Sequence, residues 1–133
     1  METKNFRLEM AVRDYECDLQ GVVNNAVYQN YLEHARHEYL KSLGIDFAAL
    51  AAQGINLVVT RVEIDYKTSL TSGDAFTVEV RMERASPVRI VFHQTIYRTP
   101  DEKVVIKAQV TGTALAANGR PKLPPEIAAQ FDA

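Results

Sequence analysis

Hydrophobic side chains in this chain keep two different rhythms, and the change between them limits the folds open to it. From Phe6 to Val12 they take every second residue, as Phe6, Leu8, Met10 and Val12, with Arg7 and Glu9 between them. Alternation of this kind puts one face of a strand against a core and the other in water. Further on, Tyr28, Tyr31, Leu32, Ala35, Tyr39 and Leu43 recur at steps of three and four, which gathers them on one side of a helix. Asn24 or Asn25 supplies the N-cap and Gly44 the stop, so the pattern predicts a helix over Ala26–Leu43, about 27 Å long. Asp46 then caps a short second helix over Phe47–Gln53, ended by Gly54.

The period of two returns afterwards and stays. Val62, Ile64 and Tyr66 alternate with charges in RVEIDYK, and Phe76, Val78, Val80 and Met82 alternate with polar residues in AFTVEVRME. VRIVFHQTIYR and KVVIKAQVTGTALA complete a set of four strands after the helices. The gaps LTSGD, Ala85-Ser86-Pro87 and Thr99-Pro100-Asp101 are short and suit antiparallel hairpins. The proline-rich tail beyond Asn118-Gly119 reads as irregular. The expected fold is therefore α+β, one domain over residues 1–133, with a long helix against about five antiparallel strands. One helix covers one face of such a sheet. The other face must be wet or meet a second subunit, so an oligomer is expected.

Composition removes several function classes. A net charge of -2 provides no global positive field for nucleic acid or an acidic membrane. The single cysteine, Cys17, excludes an intrachain disulfide framework and a cysteine zinc cluster. The start, METKNFRLEM, is too charged for a signal peptide, and no apolar run approaches the roughly 20 residues that span a bilayer. A soluble, cytoplasmic protein is the expectation.

Between the first strand and the long helix lies DYECDLQGVVNN, residues Asp14 to Asn25. The first amides of any helix lack internal partners and carry partial positive charge. Such amides can hold a carbonyl oxygen as negative charge builds on it. Gly21 permits a tight turn that would fold Asp18 back toward them. A carboxylate facing an amide-lined oxyanion site suits acyl transfer to water, either as general base or as nucleophile. The plainer reading stands beside it, because Asp and Asn before a helix commonly serve only as turn and capping residues.

The whole segment RDYECDLQGVVNNAVYQNYLEHARHEYLKSLGI, together with the Ser72-Gly73-Asp74 turn, resembles the hotdog-fold thioesterases of the 4-hydroxybenzoyl-CoA thioesterase branch. More closely still, it resembles plastid acyl-ACP thioesterases of the methylketone-synthase kind, which share Asp-x-x-Gly-Val-Val-Asn-Asn-Ala-Val-Tyr. The resemblance implies a hotdog fold, in which the sheet wraps the long helix and paired subunits place active sites at their interface, as a homodimer or homotetramer. It implies hydrolysis of acyl-CoA or acyl carrier protein thioesters to a free acid and a thiol, with no metal or redox cofactor. By position, Asp18 takes the nucleophile or general-base role, the backbone N–H of Asn25 polarises the thioester carbonyl, and Gly21 shapes the turn. Many bacterial members have Tyr-His where this chain has Asn24-Asn25; a backbone donor does not depend on that difference.

Other residues are candidates for substrate contact. Tyr28 and Leu32 are core by period but can line an acyl tunnel, and Glu33 beside them can support the reaction. In some relatives the hairpin flanked here by Arg84 and Arg89 binds CoA phosphates, for which guanidinium is apt. The run Glu33-His34-Ala35-Arg36-His37-Glu38 invites a metal, but its i, i+4 pairs fit a solvated helix face. Cys17 has no nearby histidine to activate it and reads as inert. Two competing functions remain: an acyl-thioester-binding module without turnover, and a hotdog dehydratase. The dehydratase needs a histidine before the helix, and none precedes His34.

Overall fold

The structure is a computed structural model that describes residues 5–131. Strand β1 (Phe6–Ala11) leads through a 3-10 turn at Asp14–Glu16 into helix α1 (Asn25–Ser42) and the short α2 (Phe47–Ala52). Four strands follow: β2 (Asn56–Tyr66), β3 (Ala75–Ser86), β4 (Arg89–Thr99) and β5 (Lys103–Leu115). They form one antiparallel sheet in the order β1-β3-β4-β5-β2.

The two rhythms of the sequence meet in one core. Phe76, Val78, Val80 and Met82 of β3 and Ile90, Phe92 and Ile96 of β4 are buried on one face of the sheet. Helix α1 presents Tyr28, Tyr31, Leu32, Ala35, Tyr39 and Leu40 to them. Tyr31 packs its ring 4.7 Å from Phe76, and Tyr39 lies 5.5 Å from Phe6 on β1. One polar side chain belongs to this interior. Gln94, 1% exposed, donates its amide to the Leu32 carbonyl at 2.9 Å and accepts from the Arg36 guanidinium at 3.1 Å. A buried amide with both ends satisfied fixes the helix against β4 without a desolvation penalty. The opposite face of the sheet carries paired charges, among them Arg7–Glu79 and His93–Glu83.

Several boundaries differ from the sequence reading. Helix α1 starts at Asn25, one residue early, because Asn24 is the cap and its side chain accepts from the Ala26 amide at 2.9 Å. Strand β2 begins at Asn56, five residues earlier than its alternating stretch, since Asn56–Val59 pair with β5 although they show no clean period. Leu40, absent from the predicted stripe, is buried, whereas Leu43 is only half-buried. The tail corrects the expectation of irregularity. It forms helix α3 (Pro125–Ala128) and a 3-10 turn, and it buries Leu123, Ile127 and Phe131 against the core. Pro125 at the first helical position starts that helix after Pro124 as its cap residue, while Pro121 bridges Leu115.

The sheet has one long open edge. Strand β2 pairs only with β5, and Val59, Val62 and Tyr66 on it are 50%, 41% and 48% exposed. Gly112 on β5 lies under β2 so closely that an added Cβ would sit 2.9 Å from the Val58 carbonyl oxygen. We expect Gly112→Ala to force the two strands apart and cost about 1–3 kcal/mol, read as a lower denaturation midpoint with an unchanged slope.

Candidate active site

The Asp18 segment folds into a small hairpin. Cys17 faces Val23 in an antiparallel bridge, the Asp18 amide donates to the Val22 carbonyl at 2.9 Å, and the Gly21 amide donates to the Asp18 carbonyl at 3.0 Å. Gly21, at φ 80°, takes the left-handed position that closes such a three-residue loop. The second arm is itself tied down, because Val22 bridges Thr71 and the Val23 amide donates to the Leu70 carbonyl at 2.9 Å. Asp74 holds that neighbouring turn by accepting from the Thr71 amide and hydroxyl, and Ser72 donates to Asp14.

This hairpin sets the position of the carboxylate. Asp18 is exposed, and its Oδ1 accepts from the Gln20 amide at 2.8 Å. Among the described residues no partner is found for its other oxygen. At the start of α1 the Asn24 side chain takes up the Ala26 amide and the Asn24 carbonyl takes up the Val27 amide. The Asn25 amide comes just before these two and donates to no described residue. It is a free donor at the positive end of an 18-residue helix. Asp18, Val22, Asn24, Asn25 and Tyr28 line one cleft of about 450 Å³, together with Tyr66, Lys67, Thr68 and Ser69.

Beneath the hairpin lies a buried polar contact. Glu16, 9% exposed, accepts at Oε1 from the Tyr31 hydroxyl and from the Arg13 amide, each at 2.8 Å. Burial, aided by the Glu16 hydrogen bond, holds the Tyr31 phenol well above its ordinary pKa, so it remains a donor. Tyr28 is also raised by burial, and its oxygen accepts from the Leu70 amide at 2.9 Å.

The structure gathers some of the residues singled out in the sequence and separates others. Asp18, Gly21, Asn25 and Tyr28 share the hairpin and its cleft. Leu32 and Glu33 lie further along α1, in a groove against Val59 and Val62 of β2. Glu33 also borders an apolar cavity of about 240 Å³ with Arg36, Leu40, Phe47 and Phe92. Arg36 there is half-buried, and burial lowers its pKa against the opposing pull of Glu33. Arg84 and Arg89 are elsewhere. Their hairpin pairs through Ile90 and Gly112 at the sheet end that flanks Leu40, opposite the Asp18 end, and Arg84 folds back onto the Ser86 and Pro87 carbonyls. His37 stacks near Phe47 at 5.3 Å, and no three His, Cys, Asp or Glu side chains among the described residues cluster as metal ligands. Cys17 is half-buried against the core. Glu16, Tyr66 and Lys67 were missed. Glu16 could have been suspected as a carboxylate two residues before Asp18; nothing in the spacing marks Tyr66 or Lys67.

Among known proteins, residues 12–131 match the model of the thioesterase-like superfamily. The chain belongs to that superfamily. It is 38% identical over 125 residues to an acyl-acyl carrier protein thioesterase, ATL3, of Arabidopsis thaliana, covering 93% of this chain and 66% of that one. The chain thus spans slightly less than two thirds of the plant relative. It is 30% identical over 99 residues to the acyl-CoA thioesterase YbgC of Haemophilus influenzae, covering 74% of this chain and 73% of that one. A crystal structure of a 1,4-dihydroxy-2-naphthoyl-CoA thioesterase from Synechocystis superposes with a TM-score of 0.90 at 20% identity, over 98% and 99% of the two chains. The helix wrapped by a five-stranded sheet is therefore the hotdog arrangement. No described helix is long and apolar enough to cross a membrane.

The hairpin depends on a backbone conformation that side chains rarely adopt. Gly21→Ala is expected to cost about 1–2 kcal/mol although open space surrounds the position. Thermal unfolding checks this: a loss of a few degrees is expected, and an unchanged transition would refute it.

Proposed function

We propose that this chain is an acyl thioesterase that hydrolyses the pantetheine thioester of acyl-CoA or acyl carrier protein. The observation that carries the reading is the shared cleft, with a free Asn25 amide and the Asp18 carboxylate on its lining. A thioester carbonyl seated at Asn25 accepts the N–H at the end of the helix where partial positive charge collects. Asp18 either draws a proton from water, which then adds to the carbonyl carbon, or adds itself to give a mixed anhydride that water cleaves. In both routes negative charge forms on the carbonyl oxygen beside the amide. Collapse expels the thiolate, leaving the free acid in the first route and the anhydride, which water then cleaves to the acid, in the second. The relatives named as acyl-ACP and acyl-CoA thioesterases support this chemistry. The cleft lining contains no histidine for a dehydratase.

The subunit arrangement belongs to the same proposal. An open β2 edge with three exposed apolar side chains is a template for pairing with another strand. Two copies joined antiparallel through β2 bring the start of one β2 beside the end of the other. Each Asp18 cleft then lies near the partner's Arg84–Arg89 hairpin, where guanidinium groups suit the phosphates of CoA. Glu33 and Leu32, in the groove along β2, would border the acyl chain.

Two measurements test the proposal. Thiol release from a panel of acyl-CoA and acyl carrier protein thioesters should fall by about 100-fold or more in Asp18→Asn, with the fold unchanged by circular dichroism. An equal rate in the variant removes Asp18 from the reaction. Val62→Lys on the β2 edge should shift the protein from dimer to monomer by light scattering and lower its rate. A wild-type monomer with full activity would overturn the interface.

A further inference from the structure

Asp18 lies on an exposed turn, where a short carboxylate would ordinarily sample many positions. Catalysis by the proposed route needs it held to within about 0.5 Å of one position relative to a fixed amide. The hairpin's own hydrogen bonds run between its two arms, and its second arm reaches α1 indirectly, by way of the Leu70 carbonyl that accepts from the Val23 amide and the Leu70 amide that donates to the Tyr28 hydroxyl.

The direct link from the first arm to α1 is the residue two positions before Asp18. Glu16 grips the helix twice. Its backbone carbonyl accepts from the amide of Asn24, the cap residue, at 3.1 Å. Its side chain accepts from the Tyr31 hydroxyl at 2.8 Å, six residues further along the same helix than Asn25. The same carboxylate oxygen takes the Arg13 amide at 2.8 Å, and the second oxygen lies 3.4 Å from the Arg13 guanidinium, so the incoming chain is held as well. Tyr31 cannot swing away, because it is 2% exposed with its ring against Phe76 and Tyr28. A nearly buried carboxylate with neutral and charged donors is an uncommon and costly feature unless it is fully engaged. Here every donor it takes belongs to an element that must stay in register with the cleft.

We infer that Glu16 and Tyr31 form a positioning brace that sets Asp18 against the Asn25 amide. This rests on the thioesterase reading for its consequence and on the geometry for its existence. Neither side chain appears on the lining of the cleft, so the brace acts through Asp18 and not on the substrate. Losing it should loosen the turn while the sheet and the acyl groove remain. The expected signature is a fall in kcat with little change in KM.

Tyr31→Phe removes one hydroxyl from a packed ring and is the main test, with Glu16→Ala as the larger lesion and Glu16→Gln as the conservative one. Thiol release and amide hydrogen exchange are measured on each full-length protein. Tyr31→Phe and Glu16→Ala should lower kcat by about 10- to 100-fold, keep KM close to wild type, and speed exchange over residues 17–25 but not over β3, β4 and β5. Glu16→Gln retains an oxygen acceptor for Tyr31 and Arg13 and should stay close to wild type in both readouts. The brace is overturned if Tyr31→Phe leaves kcat and loop exchange unchanged, or if exchange rises equally across the sheet. Should the wild type release no thiol, the hydrolase reading fails, and loop exchange in Tyr31→Phe still decides the brace.

Discussion

Ala35, wholly buried midway along α1, presents only a methyl group to the core, which permits a close approach of helix and sheet there. Everything else in the molecule follows from that close approach. Larger side chains on either side, Tyr31 and Leu32 before it and Tyr39 and Leu40 after it, fill the space toward β1, β3 and β4. A helix packed this tightly has little freedom to slide or roll, since core density leaves few gaps to move into. The Gln94 side chain adds a directional restraint by reaching the Leu32 carbonyl. The N-terminus of α1 is thereby placed with the precision of the core, although it opens to solvent.

That placement gives a free amide its chemical value. An exposed donor on a mobile loop would have to be oriented at each turnover, whereas a helix terminus anchored by buried aromatics is oriented in advance. The opposing group is less well placed by the core. Asp18 sits on a turn held by Gly21 at its tip and, through Glu16, by Tyr31 at its base. The candidate site is thus a rigid half and a braced half, and the brace is as short as two hydrogen bonds to one helix.

The long open β2 edge is where the proposed second subunit would join. The Arg84–Arg89 hairpin lies at the sheet end away from Asp18, and the groove past Leu32 and Glu33 runs along the unpaired strand. Antiparallel pairing through β2 would bring both features to a neighbouring cleft. Residues that share a substrate need not share a chain, so linear spacing cannot relate them.

Much of the fold was legible because periodicity is a local signal. The step of three and four from Tyr28 to Tyr39, the alternation in β3 and β4, and the turn-and-cap residues between Asp18 and Asn25 each reveal their local structure within a few residues. Local rules do not reach other features. Asn56 to Val59 join β2 because β5 offers a partner, Leu40 is buried because α2 and the cavity walls close over it, and the tail is ordered because Ile127 and Phe131 find an apolar seat. Glu16 is the sharpest case. As a residue in a sequence it is one acid among many in a polar turn; only the arrival of Tyr31 from the next helical turn, across a distance that no spacing rule encodes, makes it a buried acceptor. The sequence by itself determined which segments would be helix and strand and where an acid would precede a helix, since those depend on near neighbours. The tertiary structure decided which groups face each other, since burial and hydrogen-bond partnership are properties of chain segments brought together from afar.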